Sequence, residues 1–254
     1  SVDRNFYRAL TASQYARYAG MVPDDFRFMV KAPSLVTDAT VRDESGRGMQ
    51  ANPVFLSSEI ARQEFVLPAL EGLGHRIGVL VFQLSPIPSQ LLADQPALLA
   101  RLGEMLEALP ALKPIAPDAV IAVEVRDPQL LCPAFADMLR SVGATFCMGL
   151  HAKMPPIEEQ LPMLRALWPG PLVCRWNLHH RHGRFGYEDA EKLYGPFDRI
   201  VDPDPQTREA LAKVIAGTTR AGQNAFVTVS NNAEGCAPLT IASLARDIVD
   251  LQSR

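Results

Sequence analysis

No apolar run in the chain approaches the roughly 20 residues a helix needs to cross a bilayer. The start shows no basic, then apolar, leader pattern. Cysteine is scarce: Cys132, Cys147, Cys174 and Cys236 are widely spaced and form no Cys-x-x-Cys pair. That spacing argues against a disulfide framework and for reduced, mostly buried thiols in a cytoplasmic protein. Charge of one sign is also missing. With 25 Lys and Arg against 28 Asp and Glu, the net charge is −3, so bulk charge favours neither nucleic acid nor an anionic membrane. No Gly-x-Gly-x-x-Gly fingerprint is present, and no cofactor is expected. Internal repeats, low-complexity tracts and linkers are absent too.

What the chain does have is apolar material, 48% of its 254 residues, arranged in alternation. "FRFMVKAP" (26–33), "IGVLVFQLSP" (77–86), "AVIAVEVR" (119–126), "ATFCMGL" (144–150), "PLVCRWNL" (171–178) and "AFVTVSN" (225–231) read as strands. Between them lie segments of helical spacing. Asn52-Pro53 is expected to open a helix running to about Glu71, with a kink at Pro68. Asp94 and Pro96 open another, whose Leu98, Leu99, Leu102, Met105, Leu106 and Leu109 share a face. Others are expected at "PAFADMLRSVG", near 156–167, near 205–221 and near 238–252; 42–52 reads as a polar loop. Alternating strands and helices imply a parallel sheet covered by helices. Residues 1–7 supply one more strand, cut short. Seven strands, one fewer than a closed eightfold barrel, are expected in a single domain spanning 1–254.

The strand ends distinguish a barrel from an open sheet. Lys31, Gln83, Glu124 with Arg126, His151, Arg175 with Asn177, and Asn231 with Asn232 each close a strand. A ring of functional groups at the carboxyl ends is the catalytic face of a TIM barrel. Side chains alternate along a strand, so Glu124 and Arg126 face one way, with Val123 and Val125 opposite. Packed outward against helices, a charged pair would be buried at heavy cost. Both are therefore expected to point inward, at the mouth. They serve there either as an ion network that fixes the mouth or as ligand-binding groups. Buried pairs add little net stability, which favours the second reading.

In their order, "VDRNFYR", "FRFMVKAP", "VLVFQLSP", "IAVEVRD", "LVCRWNL" and "VSNNAEGCAP" resemble the YecE-like family, domain of unknown function 72, over essentially the whole chain. The resemblance implies a TIM (β/α)8-type barrel with a site at the strand ends, and no established activity. The family opens with a glycine- and tryptophan-containing strand and a glutamate; Ser1 stands about where that glutamate would. The resemblance thus implies that the first strand and one acid are lacking. The family also has a histidine after its Glu-x-Arg, where this chain has Asp127.

For chemistry, Glu124 flanked by cations is expected to be ionised, a base or nucleophile. Lys31 and Arg126 would stabilise an anionic group beside it, and Arg175 would bind one. Gln83, Asn177, Asn231 and Asn232 would orient a polar substrate, and Tyr7 would offer a phenol. The set suits a hydrolase or lyase acting on a small anionic or sugar-like molecule. The alternative is a nucleic-acid-binding module in which Arg175, Arg181, Arg184 and Trp176 form a platform for single strands. A metal reading rests on His180 and His182 in "HHRHG", with Asp202 and Asp204 as nearby carboxylates. A solvated basic loop is the preferred reading of that stretch, with the aspartates in a turn that caps the next helix, and no metal is assigned. Cys236 fills a tight turn near a helix N-terminus. No membrane partner is expected, and exposed sheet edges favour oligomers.

Overall fold

The computed structural model describes residues 1–42, 49–183 and 186–253. The chain divides into two units, Ser1–Thr145 and Phe146–Arg254. The first contains α1 (Ala12–Ala19), β1 (Phe28–Lys31), α2 (Ser34–Thr37), β2 (Thr40–Arg42), β3 (Met49–Ala51), α3 (Ser58–Ala61), α4 (Leu67–Leu73), β4 (Ile77–Gln83), α5 (Ser89–Ala93), α6 (Gln95–Glu107), β5 (Val120–Glu124) and α7 (Pro133–Ser141). β4 is the centre of this unit and is buried at every position. β1 pairs with it in parallel on one side and β5 on the other. Parallel strands need helical crossovers, and a strand buried on both faces reads as an unbroken apolar run, as β4 does. α4 packs closely on α1 through Gly72, where a Cβ would stand 2.3 Å from the Ala12 carbonyl oxygen. Only glycine permits that approach.

Before β1 the expected strand is reduced to a single parallel bridge, Val2 with Val30. Val2 N donates to Met29 O at 2.8 Å and Val2 O accepts from Lys31 N at 3.2 Å, after which Arg4–Phe6 turns into a 3-10 helix. The described residues therefore hold six parallel strands and one bridge.

Three local differences from the sequence reading have physical causes. The helix expected from Pro53 begins at Ser58, capped by the Ser57 hydroxyl, which accepts from Ile60 N at 3.4 Å. Asn52 does not cap it. Its Nδ2 donates to the carbonyls of Leu35 and Asp38, both at 2.8 Å, and so anchors the turn after β1. The break expected at Pro68 takes the form of a π-helical turn, Arg62–Val66, just ahead of it. Proline lacks the N–H that would continue the α pattern, and a wider turn absorbs the mismatch. The stretch 42–52 is bounded by an antiparallel ribbon, β2 with β3, and its middle, 43–48, lies outside the described residues.

The second unit contains β6 (Thr145–Leu150), α8 (Ile157–Ala166), β7 (Leu172–Trp176), α9 (Gly186–Tyr194), α10 (Pro205–Arg220), β8 (Ala225–Val229), α11 (Asn231–Glu234) and α12 (Ala237–Gln252). β7 is its central strand, paired in parallel with β6 and β8. Asp204 caps α10 as expected, with Oδ1 accepting from Thr207 N at 3.0 Å. α9 was not foreseen. It buries Ala190 and Tyr194 against Leu178, while its charged face meets solvent.

Candidate functional site

In the first unit, Gln83 and Glu124 end neighbouring strands and are direct partners in the register. Side chains opposite each other in a parallel pair share a face, so both reach the same end of the sheet. Arg126 joins them. Its Nη2 lies 2.8 Å from Glu124 Oε1 and donates to Gln83 Oε1 at 3.0 Å. Glu124 is 0% exposed, Arg126 6% and Gln83 7%. Glu124, Arg126 and Gln83 thus form a buried, charge-assisted clamp across the ends of two strands. Arg126 Nη1 is buried and has no hydrogen-bond partner among the described residues. A guanidinium carries five N–H donors and cannot shed its charge, so an unmatched nitrogen there costs about 1–3 kcal/mol or more.

Lys31 ends β1 with its Nζ 3.3 Å from the centroid of the Phe6 ring. Asn5, fully buried, fixes this strand end. Its Nδ2 donates to Lys31 O at 2.8 Å and its Oδ1 accepts from Leu10 N at 2.8 Å. Tyr7 stands apart: it is 86% exposed and touches Phe6 edge-on. Asp127 ties a loop, its Oδ2 accepting from Ile87 N at 2.9 Å.

The sequence reading missed Asp38. It follows α2 and accepts from the Ser85 hydroxyl at 2.5 Å. Burial raises its carboxyl above the ordinary value, against the pull of the Ser85 hydrogen bond and the Lys31 charge. The first unit therefore contains an ion-paired carboxylate, Glu124, and a second carboxyl, Asp38, that holds its proton more tightly than usual. Opposed environments for two carboxyls are a pattern of acid–base sites.

The strand ends of the second unit carry Arg175 and Asn177, 5% and 8% exposed. Asn177 Nδ2 donates to Arg175 O at 3.2 Å. His151 Nδ1 accepts from Lys153 N at 3.1 Å, and its ring faces Tyr187 at 5.5 Å. Asn231 and Asn232 start the short α11 beyond β8. Asn231 Oδ1 is engaged by Ala237 N at 2.8 Å, whereas Asn232 Oδ1 is buried with no partner among the described residues. Glu234, fully buried, accepts from Asp204 N at 2.6 Å and from Arg208 at 3.3 Å.

The histidine loop is organised by α9. His182 Nε2 and the Tyr194 hydroxyl are 2.7 Å apart, and that hydroxyl donates to Asp202 Oδ2 at 3.0 Å. Its one proton is thereby used, so His182 must be the donor in their contact. Arg181 pairs with the same Asp202 oxygen at 2.5 Å. Burial lowers the His182 pKa, helped by the charges of His179 and Arg181. Burial pushes Asp202 up, but the hydrogen bonds from Tyr194 and Arg181, with the charges of His179 and Arg181, together hold it below the ordinary value. Among the described residues no three His, Cys, Asp or Glu side chains converge in a way that could hold a metal ion. Trp176 is fully buried, so its ring offers no stacking surface; Arg184 lies outside the described residues. Cys147 and Cys174 are buried within β6 and β7, and Cys236 is buried at the start of α12. No helix among the described residues is long and apolar enough to cross a membrane.

Parallel strands joined by helical crossovers, with polar groups gathered where the strands end, define an α/β protein of the TIM (β/α)8-barrel type. The chain belongs to the family described as protein of unknown function DUF72, whose model matches residues 1–253. Similar solved structures include two of a DUF72 family protein from Enterococcus faecalis V583, both 14% identical, with TM-scores of 0.52 and 0.56. They cover 99% and 97% of this chain and 88% and 83% of their own. A DUF72 family protein from Thermotoga maritima MSB8 is 17% identical with a TM-score of 0.55, covering 95% of this chain and 80% of its own. At these identities the likeness speaks for the fold. No curated protein matches the chain.

Proposed function

We propose that the chain is an enzyme of hydrolase or lyase type that acts on a small anionic or sugar-like molecule at the strand ends. The observation that carries this reading is the buried Arg126 guanidinium with Nη1 unmatched. Buried ion pairs add little net stability over apolar packing, so a pair kept where two strands end favours a binding role. A substrate oxygen from a carboxylate, phosphate or hydroxyl would complete the guanidinium.

In this reading Arg126 and Lys31 hold the anionic group and stabilise charge that develops during the reaction. Glu124 is the base or nucleophile. Gln83, bonded to Arg126, helps to orient the substrate. Asp38, with its raised pKa, supplies a proton to the leaving group, and Ser85 positions it.

The test is a calorimetric and thermal-shift titration with inorganic phosphate, glucuronate and gluconate. A ligand that binds only the folded state raises the melting temperature by mass action. The reading expects at least one of these to bind wild type and to lose most of its affinity in Arg126→Met. If none binds at concentrations on the order of ten millimolar, where only Kd values far above the usual KM range escape, the reading is wrong.

A further inference from the structure

A second feature lies in the second unit, away from the strand ends. Between α8 and α10 runs a groove of about 340 Å³. Leu161 and Leu164 line it from α8 and Trp168 from just beyond that helix, Val214 and Gly217 from α10. Trp168 is 51% exposed, a large apolar surface to leave in water. Two cations border the groove, Arg165 and Lys213, and no carboxylate among the described residues lines it. Neither cation forms an ion pair among the described residues.

Gly217 is an independent observation. It sits within α10, where glycine costs roughly 0.5–1 kcal/mol relative to alanine. A Cβ placed there would meet nothing within 4 Å. Helix geometry and packing therefore do not require glycine. Its effect is to keep the groove open beside Trp168.

We propose that this groove binds a small amphipathic anion: one aromatic or branched apolar body carrying a single carboxylate or sulfonate. The volume falls in the range of small-molecule sites, roughly 300–1,000 Å³. The apolar floor takes the body, with the Trp168 ring stacked on it, and the Arg165 and Lys213 side chains meet the negative end. The proposal does not depend on the reaction at the strand ends.

Phenylbutyrate and its uncharged counterpart phenylbutanol test it, titrated into the whole chain while tryptophan emission is read. The chain has two tryptophans, and Trp176 is fully buried, so Trp168 dominates a ligand-induced change. Phenylbutyrate is expected to bind with a Kd below about 1 mM, and phenylbutanol about tenfold or more weaker. The surface variant Arg165→Glu/Lys213→Glu should weaken phenylbutyrate by about tenfold or more, with the fold intact. Gly217→Leu should abolish binding while the melting temperature holds or rises. Equal affinity for both probes, no response at several millimolar (well above about 1 mM), or unchanged binding in Gly217→Leu would overturn the proposal. So would a concentration-dependent dimer, seen by light scattering and abolished by Gly217→Leu, which would assign the groove to a second copy of the chain.

Discussion

Replacing Glu124 by Gln should destabilise the fold far more than one lost hydrogen bond. Glu124 is 0% exposed, and Arg126, at 6%, lies 2.8 Å from it. Glutamine keeps the shape and an oxygen able to accept from Nη2. What disappears is the negative charge. Arg126 cannot respond by losing its proton, so a buried cation loses the carboxylate that compensates it. Removing one partner of such a pair costs about 3–5 kcal/mol. The retained acceptor places Glu124→Gln at the lower end, about 3 kcal/mol. For a domain of this size that corresponds to a fall in melting temperature of about 6–12 °C. Urea titration would show a lower midpoint with an unchanged slope. The double variant Glu124→Gln/Arg126→Met should recover at least half of the loss, because it removes the stranded charge. A fall under about 2 °C, less than 1 kcal/mol, would show that Arg126 is solvated or compensated elsewhere and would refute the argument. Failure of the double variant to recover would refute it as well.

Other changes have definite signs. Tyr194→Phe deletes the hydroxyl between His182 and Asp202 and should cost about 1–3 kcal/mol, read as a lower urea midpoint. His182, with its pKa lowered from 6.5, should make the protein lose stability as pH falls below that value, because the unfolded chain binds a proton that the folded chain resists. His182→Gln should flatten the loss without abolishing it, since burial lowers His180 as well. The sign is opposite for Asp38, whose folded pKa is raised. As pH rises through and above 3.8, wild type should lose stability relative to Asp38→Asn, measured by urea midpoints across that range. Asp204→Ala removes the cap of α10 and should cost about 1 kcal/mol by the same measurement.

Much of the frame was legible in the sequence because it follows from local rules. Alternation places Glu124 and Arg126 on one face, and an apolar strand that carries two charges must end where they have partners. The pairing of Gln83 with Glu124 is different. It depends on how β4 and β5 slide past each other, and nothing local to either strand sets that register. Tyr7 rests on a turn rather than on strand parity. Its place in a motif beside Asn5 and Phe6 makes it a candidate, and the 3-10 turn at Arg4–Phe6 leaves it 86% exposed. The same turn puts the neighbouring Phe6 ring under Lys31.

Asp38 and Glu234 show why carboxyls were the hardest residues to read. An aspartate after a short helix looks like any polar loop residue. Its raised pKa comes from burial, and its partner Ser85 is 47 positions away. Glu234 sits in "NNAEGCAP", which reads as a tight turn, and Asp204 sits in "DPDP", which reads as a cap. Asp204 does cap α10, but its own N–H points at Glu234, 30 positions on, and Arg208 approaches the same oxygen from the first turns of that helix. Sequence spacing fixes which residues share a helix or strand face. It does not fix which distant backbone N–H a buried carboxylate will receive, and that contact decides whether the carboxylate is tethered or left free to react. Glu234 Oε1 is tethered in this way, while its Oε2, like Arg126 Nη1, is buried without a hydrogen bond among the described residues. What sets Arg126 apart is its place just beyond β5, bonded to Gln83 and Glu124 where two neighbouring strands end, and the chemistry of the chain should be sought there before Glu234.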